Sequence, residues 1–409
     1  MRSLEQIAAQ VRAGELDPVE LVEQALRRAE ETSGLNAVVH LDAEGARRAA
    51  KQARHGPLAG VPVLVKEIIE VEGMPYRCGS AAMDGIAGRD AEVVSRLRAA
   101  GAVIIGLSHS HEFAYGCTGT SNRVGPCRNP HDRSRMTGGS SSGAGAAVAA
   151  GVVPLAIGTD TAGSVRIPAA LCGVVGYKPA RDTLPVDGVF PLSQSQDHVG
   201  VLTRTVADAV YAVNALTGGT TATVDRPRLG LASNPEYLDY DEEVGKAWSQ
   251  AMELFETTPV ELPDWAATLK TAVDLQGPEA VANHAGRAIA TYQPDVQQRL
   301  RDAAEVPAWR YVQAQAEAAD LTIAFGDLLQ TVDGVLLPTV PVVAPLLESL
   351  VDEAAVRAQL MRHTRLTNVT GFPAVSIPLP TAGLPVGLQI IARDNQTAGA
   401  VAAWIERQL

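Results

Sequence analysis

Two serines and one lysine are the residues of this chain whose surroundings suit covalent chemistry. Ser164 closes a turn of small residues, 159–164, that follows an apolar run. Such a turn can direct successive backbone N–H groups at one point, as the stabilisation of an oxyanion requires. Its small residues would also let a substrate carbonyl come close to the backbone. Taken alone, however, Ser164 is explained more simply as the N-cap of the helix that follows.

Ser140 lies in a second glycine- and serine-rich segment, 138–143, which opens an alanine-rich stretch. Loops of this kind bind anions at helix N-termini, so a phosphate site is the obvious alternative. The segment lacks the terminal Gly-Lys-Ser/Thr of a P-loop, and Val148 stands where a dinucleotide fingerprint would need its third glycine. Nucleotide binding is therefore disfavoured, while a plain flexible loop stays open as an explanation of this segment by itself.

Lys66 ends the apolar run 60–66 and is followed by Glu67. Burying an ammonium group is costly unless it is paired or loses its proton. Lysine is also scarce here, because arginine supplies 29 of the 34 basic residues. A buried lysine can become a neutral base, whereas arginine keeps its proton in proteins. Taken alone, Lys66 could equally well act as a base near neutral pH or be the charged partner of an ordinary ion pair.

The segments that carry these residues alternate between strand and helix patterns, which predicts an α/β sheet. The run 60–66 is predicted to be a short buried strand, followed by a helix over 91–100 and a strand over 102–106. Further along, the pattern predicts a loop (138–143), a helix (144–150), a strand (152–158), a tight loop (159–164), a helix start and a strand (172–178). Three more core strands are predicted at 335–338, 374–378 and 386–391.

Two regions, 1–55 and 226–330, are predicted to be mainly helical. In the first, Asp17-Pro18 has the pattern of a helix start, with an N-cap followed by proline at the first helical position. The second is polar and rich in Gln, Glu and Ala. Since no internal repeat or low-complexity linker divides the chain, we expect one sheet-centred domain whose two parts are joined by a helical excursion, 226–330.

The composition excludes several classes of partner. The chain has 409 residues and a formal net charge of −12, so a nucleic acid or an anionic membrane would be repelled. Its longest apolar stretch, 143–158, is interrupted and falls short of the roughly 20 residues that cross a bilayer. The first residues lack a secretory pattern. Together with four cysteines that show no zinc-like spacing, this predicts a cytoplasmic protein with reduced thiols at Cys78, Cys117, Cys127 and Cys172.

Over nearly its whole length the chain resembles the amidase signature family. The resemblance is carried by several separated motifs in the family's order: Gly60–Glu67, Gly125–Pro130, Gly138–Gly143, Gly158–Ala170, Cys172–Pro179, Thr367–Pro378 and Gly383–Gln389. It implies a large mixed β-sheet surrounded by helices, and a single amidase domain spanning residues 1–409. It also implies chemistry that needs neither a metal nor an organic cofactor.

The same resemblance implies roles for individual residues by position. Lys66 matches the family's catalytic lysine, Ser140 its bridging serine on a cis peptide bond, and Ser164 its nucleophile. The oxyanion hole falls on the backbone amides of Thr161, Ala162, Gly163 and Ser164. Three further residues match positions that brace the site through hydrogen bonds, namely Ser141, Asp160 and Arg166.

Two positions depart from the common family pattern. Ala162 stands where glycine is usual, and its methyl group is expected to narrow the acyl pocket. Near residue 110, His109 and His111 replace the usual residues; His111 is a candidate substrate contact, and a metal pair is disfavoured because no third ligand has a clear spacing. A Ser-His-Asp triad through Asp197 and His198 is also disfavoured, since that segment matches a structural part of the family.

The favoured hypothesis is a stand-alone amidohydrolase of the compact, malonamidase-like kind, acting on a small carboxamide. The alternatives are the glutaminase subunit of a tRNA-dependent amidotransferase, a hydrolase of urea-type amides such as allophanate or carboxybiuret, and a non-catalytic binding protein. The expected partner is a small-molecule amide, with no nucleic acid and no membrane; a homodimer is compatible with the sequence. Specificity is expected from the helical excursion, the loop 109–128 and the segment 340–365.

Overall fold

An eleven-stranded mixed β-sheet forms the centre of the computed structural model, which describes residues 2–409. The strands of this described part are β1 (Val38–Leu41), β2 (Pro62–Lys66), β3 (Pro75–Tyr76), β4 (Gly85–Ile86), β5 (Val103–Ser108), β6 (Leu155–Asp160), β7 (Val175–Lys178), β8 (His198–Thr203), β9 (Leu229–Ala232), β10 (Thr257–Val260), β11 (Gly334–Pro338), β12 (Ala374–Pro378) and β13 (Gly387–Ile391). The order across the sheet is β1-β5-β2-β6-β8-β7-β12-β13-β11-β9-β10, and β3 pairs with β4 alone.

Helices surround this sheet. They are α1 (Leu4–Ala13), α2 (Pro18–Glu31), α3 (Ala43–Ala50), α4 (Glu92–Ala99), α5 (Ser142–Ala149), α6 (Arg166–Cys172), α7 (Val206–Thr217), α8 (Glu242–Met252), α9 (Trp265–Asn283), α10 (Pro294–Ala304), α11 (Ala308–Thr331), α12 (Glu353–Leu360), α13 (Arg365–Thr370) and α14 (Asn395–Glu406). Within residues 2–409, none of these helices is long and apolar enough to cross a membrane. The predicted fold class, α/β with a large mixed sheet surrounded by helices, is confirmed.

The strand directions bring the ends of distant segments to one edge of the sheet. β2 is parallel to both β5 and β6, whereas β8 runs antiparallel to β6 with Asp160 opposite His198. Neighbouring parallel strands end at the same edge, so the carboxyl ends of β2 and β6 lie side by side. Lys66 is the last residue of β2 and Asp160 the last of β6.

The predicted core strands are all present, with shifted boundaries. The strand predicted at 152–158 lies at Leu155–Asp160, the largest shift, and the one predicted at 172–178 begins only at Val175, because α6 continues to Cys172 and ends in a left-handed Gly173. The helix start at Asp17-Pro18 is confirmed, since the Asp17 side chain accepts a hydrogen bond from the N–H of Val19. The helical predictions for 1–55 and 226–330 are incomplete, because they miss the two edge strands β1 and β10 and the strand β9 beside β10.

The missed strands have a common physical reason. Each of these strands is four residues long. β10 is also half-exposed, and its sequence lacks the alternation of apolar and polar residues by which a strand is predicted. Their pairing depends on partners far away in sequence: β9 pairs with β11, and β1 with β5. Tertiary pairing of this kind leaves little trace in local sequence.

The alanine-rich helix α5 explains why its segment uses such small residues. Ala144, Ala146 and Ala147 are completely buried. A Cβ atom at Gly143 would lie 2.1 Å from the carbonyl oxygen of Ala37, so only glycine lets the neighbouring backbone come this close. The tight packing fixes the N-terminus of α5, and with it the segment 138–141 that leads into the helix.

Candidate active site

Lys66 is buried at the end of β2, with two hydroxyl groups around its amine. Its Nζ atom lies 2.7 Å from Ser140 Oγ and 2.8 Å from Thr159 Oγ1. Burial lowers the pKa of Lys66 from 10.5 to about 7, against the opposing charges of Asp160, Asp197 and Glu67. The neutral amine is therefore well populated near pH 7, and it faces a serine hydroxyl.

Ser141, the residue after Ser140, joins the segment before α5 to the end of β6 and to the turn that follows it. The peptide bond between Gly139 and Ser140 is cis, as the family resemblance implies. Ser141 Oγ donates to the carbonyl of Thr159 at 3.0 Å and accepts from its N–H at 3.2 Å. The N–H of Ser141 donates to the carbonyl oxygen of Ser164 at 3.2 Å. These bonds hold the two serine-bearing segments, 138–143 and 159–164, against each other.

The turn that ends in Ser164 needs glycine at one position. Gly163 has a φ of +117°, and a Cβ atom there would lie 2.4 Å from Thr364 Oγ1. That hydroxyl donates to the carbonyl of Ala162 at 2.6 Å, so the C-terminal part of the chain supports the turn directly. Ser164 itself is only 6 % exposed. A residue with a Cβ atom at position 163 would therefore disturb the backbone that leads into Ser164.

Asp160 and Arg166 form a completely buried ion pair beneath the turn, with Nη2 of Arg166 2.8 Å from Oδ1 of Asp160. Burial alone would raise the pKa of Asp160, but the charge and hydrogen bonds of Arg166 hold it well below its ordinary value. The Asp160 carboxylate also accepts from the N–H groups of Gly163 (2.8 Å) and Val165 (3.1 Å). The other partners of Arg166 come from the C-terminal region: Thr364, Thr367, Asn368 and Gln389.

The four amides predicted for an oxyanion hole are not equivalent. The N–H of Gly163 already donates to Asp160, which removes it from the free donors in this arrangement. Within residues 2–409, the N–H groups of Thr161, Ala162 and Ser164 donate to no other group. Three neighbouring amides thus stay available to a developing negative charge.

Ser164 opens into a small cavity, with an empty volume of about 300 Å³. Thr161 and Ala162 line it beside the serine. The rest of the lining comes from the loop 114–117, from Leu192, and from four helices through Gln276 (α9), Arg299 (α10), Arg357 and Met361 (α12 and its C-cap) and Arg365 (α13).

The chain matches the Amidase family profile over residues 20–398. The chain belongs to the amidase signature family. It is 34 % identical to the 2-amino-5-chloromuconic acid deaminase of Comamonas testosteroni (97 % of this chain, 93 % of that protein). It is 32 % identical to a glutamyl-tRNA(Gln) amidotransferase subunit of Acidothermus cellulolyticus (96 % and 90 %). A crystal structure of an amidase superimposes with a TM-score of 0.92 at 32 % identity, covering 100 % of both chains.

Membership of the amidase signature family confirms the predicted enzyme class, a hydrolase of amide C–N bonds. The roles given to individual residues stay predictions. The structure brings Lys66, Ser140 and Ser141 together with the turn 159–164, and it places Asp160 and Arg166 directly beneath that turn.

The two histidines that depart from the family pattern are both buried. His109 contacts Ser142 Oγ through Nδ1 at 2.7 Å and the carbonyl of Gly125 through Nε2 at 2.9 Å. Nε2 of His111 lies 3.0 Å from Oδ2 of Asp295. Both ring nitrogens of His109 thus have partners within the chain. The described part of the chain holds no group of three or more side chains arranged to hold a metal ion.

Asp197 and His198 lie close to the site without forming a triad. Oδ1 of Asp197 accepts from Thr161 Oγ1 at 2.6 Å, and burial raises the pKa of Asp197 to about 6. His198 Nδ1 contacts the carbonyl of Gln196 at 2.7 Å, and no hydrogen bond joins it to Ser164 within residues 2–409. The four cysteines are free and buried, as expected of reduced thiols.

Several residues of the site were missed by sequence reasoning. Thr159 contacts Lys66, but it was seen only as part of the turn. The C-terminal partners of Arg166 lie in or next to motifs that already carried the family resemblance, 367–378 and 383–389, so those motifs could have identified them. Arg365, which lines the cavity, has no local signal, because its place depends on how α13 packs.

Proposed function

We propose that this chain hydrolyses the C–N bond of a linear carboxamide through an acyl-enzyme on Ser164, with Ser140 as proton relay and Lys66 as base. The observation that supports the proposal is the 2.7 Å contact between Lys66 Nζ and Ser140 Oγ. Burial lowers the pKa of this lysine to about 7. A charged lysine could not accept a proton, whereas a half-neutral one can. Ser164 supplies a hydroxyl in the small cavity that Thr161 and Ala162 also line.

The chemistry follows from these groups. Neutral Lys66 accepts the proton of Ser140 while Ser140 accepts the proton of Ser164, and the Ser164 oxygen attacks the amide carbon. The carbonyl oxygen becomes an oxyanion, for which the free amides of Thr161, Ala162 and Ser164 are donors. The relay then returns the proton to the leaving amine, the C–N bond breaks, and water hydrolyses the ester on Ser164. The Asp160–Arg166 pair keeps the turn in position.

The test is a comparison of matched variants on a panel of small amides, aryl amides, carboxylated ureas and glutamine. Ser164→Ala should reduce turnover to the uncatalysed background and Ser140→Ala should weaken it strongly. Lys66→Ala should cost about 1,000-fold, within the range for a lost general base. Ser249→Ala and Lys246→Ala, at exposed positions on α8, are the matched controls and should retain wild-type activity. Unchanged hydrolysis by Lys66→Ala at neutral pH would contradict the base assignment.

A second candidate is the glutaminase subunit of a tRNA-dependent amidotransferase. It is favoured by the 32 % identity to a subunit of such an amidotransferase over 96 % of this chain. Glutaminase activity that appears only with co-purified partner subunits would support it; hydrolysis of other small amides by the isolated chain would contradict it. A urea-type substrate is tested in the same panel. Fluorophosphonate labelling of Ser164 would contradict a non-catalytic binding role.

The cellular setting rests on the sequence. A small-molecule amide is the expected partner, with the cytoplasm as the expected location and a homodimer compatible with the sequence. Fractionation of cells and sedimentation of the purified chain test the last two predictions.

A further inference from the structure

Three arginines line the cavity that contains Ser164, namely Arg299, Arg357 and Arg365. None of the described residues that line this cavity is an aspartate or a glutamate. The chain as a whole has a net charge of −12, so the positive charge here is local and opposite in sign to the rest of the molecule. The same three arginines also border the adjoining cavity, which has an empty volume of about 590 Å³.

The carboxylates nearest to these three arginines, Asp295 and Glu353, both form ion pairs with Arg299. Arg299 pairs with Asp295 at 2.8 Å and also contacts Glu353. Arg357 is 3.9 Å from the same Glu353, through an Nε atom that makes no hydrogen bond in the described chain. Asp295 is shared further, since it accepts from Ser121 and contacts His111. Two carboxylates therefore serve two arginines and a histidine, with none left for the third arginine.

Arg365 is the arginine without a counter-ion. It is 6 % exposed, its Nη1 donates to Gln276 Oε1 at 3.3 Å, and its Nη2 contacts Met361 Sδ at 3.5 Å. Its Nε is buried with no partner, and no described carboxylate lies within 4.0 Å of its guanidinium group. Burial lowers the pKa of Arg365 to about 10, helped by the charge of Arg357, so it is still protonated at neutral pH.

A buried guanidinium with no counter-ion is unfavourable, and an anion in the cavity would relieve that cost. A carboxylate is the anion that matches the planar fork of arginine and is small enough to share a cavity with a scissile amide. The cavity beside Ser164 is the smaller of the two, with about 300 Å³ of empty space against about 590 Å³ for its neighbour, so few atoms can separate the carboxylate from the amide.

We propose that the substrate is an amide that carries a carboxylate, the half-amide of a small dicarboxylic acid, and that Arg365 with Arg357 binds this carboxylate beside Ser164. This inference rests on the proposed function. It also separates the candidates for that function. Glutamine carries an ammonium group as well as a carboxylate; no described acidic residue lines the cavity beside Ser164, and the adjoining cavity offers only Asp302.

The experiment compares paired substrates in matched variants. Malonamate, succinamate and glutaramate are each paired with their neutral methyl ester, and N-acetylglycine places the carboxylate on the leaving amine instead. The variants are Arg365→Gln and Arg357→Gln. Arg362→Gln is the control, because Arg362 pairs with Asp239 and does not line the cavity. Ammonia or amine release gives kcat/KM, and the thermal midpoint with and without the dicarboxylate product gives binding.

The expected result is a wild-type preference for the acids over their esters. Arg365→Gln should lower kcat/KM for the preferred half-amide by about 100-fold, as for a lost charge-assisted bond, and change the neutral ester less than threefold. Arg357→Gln should show the same pattern to a smaller degree, and it keeps the test valid if Arg365→Gln does not fold. Arg362→Gln should behave as wild type, and the dicarboxylate should stabilise the wild type but not Arg365→Gln.

Other outcomes overturn the inference. Equal kcat/KM values for the acids and their esters would show that the arginines do not bind a carboxylate. An equal decrease of kcat/KM for both in Arg365→Gln would show the same. The proposed amidase function would not be affected by either result. Preference for N-acetylglycine would move the carboxylate to the leaving group and contradict the half-amide. If no half-amide or dicarboxylate is hydrolysed or bound, the inference fails, and fluorophosphonate labelling of Ser164 then decides separately whether the proposed function fails too.

Discussion

The rate of acylation should follow the protonation state of Lys66. Burial moves its pKa from 10.5 to about 7, a change of roughly 3.5 units that disfavours the charged form by about 5 kcal/mol. At pH 7 this raises the neutral fraction of the amine from about one in 3,000 to about one half. The position of Lys66 at the end of a fully buried strand therefore supplies most of the neutral amine that is present at pH 7.

The assay is kcat/KM for an uncharged carboxamide, so that only groups of the enzyme titrate. Below pH 7 the value should fall about tenfold for each pH unit, and above pH 8 it should level off. Lys66→Arg keeps the positive charge and should lose both the activity and this ascending limb. Asp197→Asn removes a charge that raises the pKa of Lys66, so the limb should move to lower pH.

Two results on the variants, and one on the wild type, would refute this account. One is a limb that persists at the same midpoint in Lys66→Ala, which would assign the titration to another group such as Asp197, whose pKa is about 6. The other is a shift to higher pH in Asp197→Asn, which has the opposite sign to the electrostatic effect. A flat profile between about pH 5 and 9 would likewise exclude a base of this pKa.

The same pKa makes a prediction for stability. Because the folded-state pKa of Lys66 is below its unfolded value, burial of the charged form costs most below pH 7 and the cost disappears between pH 7 and 10.5. Lys66→Met should therefore gain stability relative to wild type at pH 6 and lose that gain by pH 10. The lost contacts to Ser140 and Thr159 are common to every pH, so urea unfolding at two pH values isolates the titration.

Three further predictions concern the support of the turn. Asp160→Asn leaves Arg166 buried without its counter-ion and should lower the free energy of unfolding by about 3–5 kcal/mol, measured by urea denaturation; a loss below 1 kcal/mol would contradict this. Gly163→Ala forces a Cβ atom against Thr364 and an unfavourable φ, so it should cost about 1–3 kcal/mol and most of the turnover. Full activity in that variant would contradict the geometry. Ala162→Gly removes a methyl group from the cavity lining and should improve kcat/KM for bulkier acyl groups relative to small ones; unchanged selectivity would show that the methyl group does not narrow the pocket.

Much of the fold could be predicted because its central strands are locally distinct. Runs such as 62–66 and 374–378 are short, apolar and bounded by turn residues, and both are strands. The edge strands could not be predicted in the same way. β10 has the sequence Thr-Thr-Pro-Val and is half-exposed, and only its parallel pairing with β9 makes it a strand.

The residues of the candidate site also differ in whether the local sequence pattern predicts them. Lys66, Ser140 and Ser164 can be predicted because each lies in a segment with a distinct local pattern. The resemblance to the family then places the three segments in one site. The segment 340–365, from which specificity is expected, contains Arg365, but the sequence does not single this residue out, because a buried arginine looks like any surface arginine in sequence. Its significance comes from the packing of α13 against the cavity and from the missing counter-ion, which are both properties of the folded chain.

The order of the strands has a consequence for biosynthesis. β12 and β13 occupy the middle of the sheet, between β7 and β11, although they follow every other described strand in the sequence and are therefore synthesised after them. Until they arrive, β7 and β11 present open edges, and Arg166 lacks partners that lie as far as 223 residues downstream. A chain that stops before residue 364 thus leaves both strand edges open to association and Arg166 without its four C-terminal partners. We therefore expect the turn that carries Ser164 to gain its full support only when β12 and β13 have joined the sheet, so that closing the sheet and bracing the candidate site are one event.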